Sequence, residues 1–152
     1  MNRSRITTIA LLFAGGIGLT AAAPVARPNP LMWLTMTDTN KLQSDEGCAF
    51  SFETPVIRGE RRTMVYSIEN TLMVKTKAGV AQCRIPARAM NAFRDTKGPV
   101  TCGGQQISLK RNGKLSHAPE GSEGDGSSFP ATLMIGTGPG AAMVKGDAGT
   151  GC

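Results

Sequence analysis

The stretch "RTMVYSIENTLMVKTKAGVAQCRI", Arg62 to Ile85, decides the fold of this chain. It holds three runs rich in apolar and β-branched residues, "RTMVYSI", "TLMVKTK" and "VAQCRI", and only two residues, "EN" and then "AG", separate each run from the next. Short β-prone runs with such brief separators are typical of antiparallel strands joined by tight turns. The stretch therefore predicts an antiparallel meander from Arg62 to Ile85.

Further strands are predicted on both sides of this meander. "CAFSFE" precedes it and alternates apolar with polar residues, while "FPATLMI", ending at Ile135, predicts a last apolar strand. Between them, "VTC", "QQISLK" and "LS" predict a second hairpin with Asn112-Gly113 as its turn. We expect a mainly β fold: a small antiparallel β sandwich or a barrel-like meander.

One short helix, about residues 86–94, interrupts the strands. In "PARAMNAFRD", Pro86 suits the first helical position, where a missing N–H costs nothing. Ala89, Met90 and Phe93 recur at helical spacing and are expected to line one buried face.

The first 22 residues have the layout of a secretory signal peptide. "MNRSR" is basic, Ile6 to Leu19 is apolar and uncharged over 14 residues, and "TAAAP" offers small residues for cleavage. We predict cleavage after Ala22, export to the periplasm or the medium, and no stable membrane span after cleavage. The alternative is an uncleaved membrane anchor.

The rest of the chain divides by composition. Residues 23–44 begin with "APVARPNP" and predict an extended, proline-rich leader; residues 45–135 form the β-rich domain. Residues 136–152 predict a flexible, glycine-rich tail. "IGTGPGAAM", at Ile135–Met143, matches the spacing of a dinucleotide-binding loop, but only 11 residues follow Ala141, too few for the helix and second strand. We therefore expect no nucleotide cofactor, and indeed no cofactor at all.

The chain has four cysteines, all beyond the predicted cleavage site: Cys48, Cys83, Cys102 and Cys152. An even number of cysteines in a small exported chain predicts two disulfides, for which three connectivities are open. We favour Cys83–Cys102, since the residues between them can fold back as a helix and turn, and then Cys48–Cys152. No C-x-x-C pair occurs and the single histidine is far from every cysteine, so no metal site is expected.

Basic residues concentrate in the centre of the chain. Residues 58–114 contain 12 basic and three acidic side chains, whereas both flanks are acidic. Such a basic face predicts contact with an anionic envelope polymer or an acidic protein. The candidate contact residues are Arg58, Arg61, Arg62, Lys75 and Lys77. The alternative is that Lys75 and Lys77 simply line the solvent face of a strand. No nucleic-acid partner is expected for an exported protein, and the oligomeric state is left open.

Two other functions follow from local features. "VTCGGQQISLKRNGKL", Val100 to Leu115, resembles the cysteine-bearing strand and hairpin of small periplasmic C-type lysozyme inhibitors, which are disulfide-containing β-barrels. The resemblance implies an inhibitor of a cell-wall enzyme, although the loop "EGSEGDGSS" is more acidic than the serine- and glycine-rich loop those inhibitors place in the lysozyme cleft. A third hypothesis is a small secreted hydrolase that uses His117. We favour the non-enzymatic binding protein over both.

Overall fold

The computed structural model describes residues 28–42, 48–56, 59–117 and 126–152. The predicted signal peptide, its cleavage site and the first residues of the predicted leader lie outside these ranges. So do Arg58 and most of the acidic loop that precedes the last two strands.

The described residues contain ten β strands, two α helices and two short 3-10 turns. The helices are α1 (Met36–Thr39) and α2 (Ala87–Arg94). The strands are β1 (Leu31–Met32), β2 (Ala49–Glu53), β3 (Thr63–Ile68), β4 (Thr71–Thr76), β5 (Gly79–Arg84), β6 (Val100–Cys102), β7 (Gln105–Arg111), β8 (Ser116–His117), β9 (Gly126–Ile135) and β10 (Ala142–Gly151).

All strands belong to one antiparallel sheet that curls into a half-barrel, which confirms the predicted mainly β, barrel-like fold. The strand order is β1-β4-β3-β2-β10-β9-β7-β6, with β5 on β4 and β8 on β9. The meander β3-β4-β5 forms as predicted, and its first turn is sharp enough that Glu69 has a φ of 48°.

Two disulfides join the pairs that the sequence analysis favoured, Cys48–Cys152 and Cys83–Cys102. The second one connects β5 to β6, which lie at opposite ends of the strand order. A covalent link between the two ends holds the sheet in its curled form.

Helix α2 follows β5 along the chain and packs one face against the core of the curled sheet. Met90 and Phe93 are fully buried, as their spacing predicts, and the Phe93 ring meets the Phe50 ring edge-on at 6.0 Å between centroids. Arg94 fastens the end of the helix to the first turn of the meander, because its guanidinium donates to Ser67 Oγ at 3.1 Å and to the Glu69 carbonyl at 2.6 Å. Burial lowers the pKa of Arg94.

The prediction of a flexible glycine-rich tail is wrong, because β10 lies in the middle of the sheet. It pairs with β9 along its whole length and with β2 over its second half. Two of its glycines serve close packing: a Cβ on Gly146 would overlap the Glu53 carbonyl and lie 2.8 Å from Phe52 Cζ. A Cβ on Gly149 would lie 2.7 Å from the Ser127 carbonyl oxygen. Strand propensity alone misses a strand whose small residues are required by its neighbours.

The predicted hairpin at Asn112-Gly113 is also wrong. Strands β7 and β8 both pair with β9 instead of with each other. Asn112 is held by β9, since its backbone N–H donates to the Pro130 carbonyl at 2.8 Å and its side-chain amide to Thr132 Oγ1 at 2.8 Å. The tight turn of this region lies earlier, at Gly103-Gly104 between β6 and β7, where both φ angles are positive.

The predicted leader is part of the domain from Leu31 to Leu42. Strand β1 pairs with the last two residues of β4, and the Leu34 N–H donates to the Thr63 carbonyl at 2.7 Å. Helix α1 follows directly and is closed at its start by a capping box between Thr35 and Asp38. In the described part of the chain, no helix is both long and apolar enough to cross a bilayer.

Candidate functional site

A cleft of about 490 Å³ opens where α1 faces the start of β3. The bridge between Leu34 and Thr63 holds its two walls together. One wall comes from the segment that enters α1 and the other from the residues that lead into β3. The lining residues are Trp33, Leu34, Thr35, Met36, Thr39, Glu60, Arg61, Arg62 and Thr63.

The two walls meet in a stack between Trp33 and Arg62. The guanidinium carbon of Arg62 lies 4.2 Å from the centroid of the Trp33 ring, a cation–π contact. Trp33 stays 47% exposed, so this contact lies at the surface. The stack holds the planar guanidinium of Arg62, which can donate two hydrogen bonds to one anion, beside the exposed ring of Trp33.

Among the described residues, Arg61 has one weak ion-pair partner. Its guanidinium lies 3.7 Å from Glu53 Oε2, and its side chain is 58% exposed. An exposed ion pair at this distance contributes little and is screened by salt. Arg61 is therefore accessible to a stronger anion, although the exposed Glu60 shares the cleft and opposes such an anion.

A second ion pair fixes α1 to the sheet. Lys75 Nζ lies 2.8 Å from Asp38 Oδ2, and both side chains are largely shielded from solvent. The same oxygen accepts from the Thr35 backbone N–H at 2.9 Å and from the Thr35 hydroxyl at 2.8 Å. The hydrogen bond from Lys75, followed by those from Thr35, holds the pKa of Asp38 far below its usual range.

The structure brings only part of the predicted contact set together. Arg61 and Arg62 line the cleft, while Lys75 is occupied by Asp38. Lys77 is exposed in the β4–β5 turn, where it lines a separate cleft. Arg58 lies outside the described residues.

Trp33 and Met36 are among the cleft residues that the predicted contact set left out, because their segment was assigned to the leader. The stretch "TMTD", Thr35 to Asp38, could have indicated that this segment contains a helix. A threonine followed three residues later by an acid is the pattern of a capping box and predicts a helix start.

His117 lines a different, shallow cleft of about 430 Å³ near the Cys48–Cys152 end of β10. In the strand register His117 lies opposite Ser127. The other lining residues are Ser51, Gly126, Ser127, Ser128, Gly149, Thr150 and Gly151. Hydroxyl groups and one imidazole thus share this cleft, but none of its described lining residues is an acid that would orient the imidazole. The hydrolase hypothesis stays a prediction.

Within the described ranges, no three His, Cys, Asp or Glu side chains lie close enough together to hold a metal ion. No protein-family model matches this sequence. Neither a curated protein nor a solved structure matches it at a significant level.

Proposed function

We propose that this protein is an exported, non-enzymatic binding protein of the cell envelope, and that it holds an anionic component of the envelope in the cleft beside α1. The observation that carries the proposal is the Arg62–Trp33 stack at 4.2 Å with Arg61 beside it in the same cleft. Two neighbouring arginines offer planar, bidentate donors that suit carboxylate and phosphate groups.

Both arginines are available to a ligand. The only ion pair of Arg61 in the described region spans 3.7 Å to a partly exposed carboxylate, and Arg62 contacts an aromatic face. A ligand that carries many anionic groups gains from repeated weak contacts with such a cleft. A polymer or another extended anionic surface fits this requirement better than a single small anion.

The two disulfides support an oxidising location outside the cytoplasm. We further propose export to the periplasm or the medium, because the amino-terminal sequence has the layout of a secretory signal peptide. In that compartment an anionic polymer of the envelope is within reach.

The test is retention of the purified protein on immobilised anionic envelope polymer, eluted with increasing salt. The double variant Arg61→Glu and Arg62→Glu is expected to elute at clearly lower salt than the unmodified protein, since it reverses the charge of the cleft. The matched control is a double variant with the same charge change elsewhere, Lys110→Glu and Lys114→Glu, because both lysines are exposed and outside the cleft.

An equal shift in the two double variants would show that net charge alone governs retention, which contradicts the proposed cleft. Unchanged elution of the arginine variant would contradict it as well. Thermal unfolding of every variant shows whether the fold is intact.

A further inference from the structure

Apolar side chains project beside the arginines of the cleft. Met36 is 81% exposed and Trp33 47%, and both side chains line the cleft. Exposed apolar side chains that cluster in this way usually mark an interaction surface. We call Trp33 and Met36 the apolar rim of the cleft.

The rim is held in place by the fold. Met36 is the first residue of α1, whose start is closed by the Thr35–Asp38 capping box and tied to β4 by Lys75. Because Lys75 and Thr35 satisfy the Asp38 carboxylate, this acid does not repel an anion that approaches the rim. The backbone of Met36 is therefore fixed before binding, so that only its side chain loses conformational freedom on insertion.

We infer that the anionic ligand of this cleft is the surface of a phospholipid bilayer. Met36 and Trp33 insert among the upper acyl carbons, and Arg61 and Arg62 meet lipid phosphates. Tryptophan prefers the boundary between headgroups and hydrocarbon, methionine adapts to an irregular apolar surface, and basic residues are drawn to anionic lipids. This inference rests on the proposed function, because it uses the same arginines, and it narrows the ligand to a lipid surface.

The chain suits a direct test, since Trp33 is its only tryptophan. The full-length protein is mixed with phosphatidylcholine vesicles and with vesicles of equal parts phosphatidylcholine and phosphatidylglycerol. With the anionic vesicles alone, the Trp33 emission is expected to shift to shorter wavelength and the protein to sediment with the lipid. Glu60→Gln is expected to strengthen this binding, because it removes the acid that shares the cleft.

Met36→Ser is expected to weaken binding to the anionic vesicles roughly tenfold, since it removes one buried apolar side chain from the bound state. The matched control is Met143→Ser. Met143 is 69% exposed but lies on β10, outside the cleft. Its replacement is expected to leave vesicle binding unchanged.

The outcomes separate this inference from the proposed function. If Met36→Ser and Met143→Ser bind vesicles equally well, the inference is overturned. Binding driven by the amino-terminal segment would give this result, because neither substitution changes that segment. If the arginine variant still loses retention on the polymer, the proposed function then stands alone. If soluble poly-glutamate shifts the Trp33 emission as far as the vesicles do, a polymer is the ligand and the lipid inference is wrong.

Discussion

The Lys75 ammonium donates to Asp38 Oδ2 at 2.8 Å and so joins helix α1 to strand β4. The two residues are 37 positions apart in the chain. Together with the β1–β4 pairing and the Leu34–Thr63 bridge, this contact makes the segment from Leu31 to Leu42 part of the domain and places Trp33 and Met36 beside Arg61 and Arg62.

Replacing Asp38 with Asn is expected to loosen α1. The change weakens charge-assisted bonds from Lys75 and Thr35 and leaves the ammonium without its counter-ion, at a cost of about 1–3 kcal/mol in the free energy of unfolding. Chemical denaturation measures this loss, and a shift of the Trp33 emission reports the change near the cleft. Thr37→Ala is the control, because Thr37 is exposed on the same helix. Equal stability of Asp38→Asn and the unmodified protein would show that the ion pair does not anchor α1.

The stability contribution of Asp38 depends on pH. Its folded-state pKa is depressed, so the ionised carboxylate stabilises the fold fully above the pKa of the unfolded chain, about 4. This contribution is lost as the pH falls below that value towards the folded-state pKa. The stability difference between the unmodified protein and Asp38→Asn is therefore expected to be constant near neutral pH and to shrink below about pH 4. Denaturation curves at several pH values measure it, and a difference that grows on acidification would contradict the assignment.

Gly146 is expected to tolerate no side chain. A Cβ there would overlap the Glu53 carbonyl and press on the Phe52 ring, so Gly146→Ala is expected to cost at least about 2 kcal/mol or to prevent folding. Gly151→Ala is the control on the same strand, since a Cβ added to Gly151 would meet nothing within 4 Å. Urea unfolding midpoints compare the two variants. Equal midpoints would mean that β10 packs less tightly against β2 than its contacts indicate.

The two disulfides are expected to differ in their accessibility to reductant. Cys48 and Cys152 are both exposed. Cys102, whose disulfide joins β6 to β5, is only 2% exposed. Brief treatment of the native protein with dithiothreitol, followed by alkylation and peptide mass mapping, is expected to label Cys48 and Cys152 first. Simultaneous labelling of all four cysteines would indicate that the domain opens as a whole during reduction.

The sequence by itself determined the local elements of this protein. The runs from Thr63 to Arg84 carry β-prone residues at strand length with brief separators, and the helix at Ala87–Arg94 carries its buried residues at helical spacing. Both signals arise within a few residues of chain, so no knowledge of distant contacts was needed. The sequence left three cysteine connectivities open. The preference for Cys83–Cys102 rested on such local elements, and the structure contains this disulfide because α2 and its turn bring Cys102 back to Cys83.

Only the tertiary structure decided what the glycine-rich and proline-rich segments become. Residues 142–151 have little strand propensity, and they form a central strand because β2 and β9 supply partners on both sides and leave no room for a side chain at Gly146 and Gly149. The candidate site depends equally on distant contacts. Its two walls are almost 30 residues apart in the chain and meet through the Leu34–Thr63 bridge, while Asp38 occupies Lys75. The acidic and aromatic partners of the basic side chains decide which of these side chains stay available to a ligand. Because such partners lie far apart in sequence, no periodic pattern in the sequence predicts them.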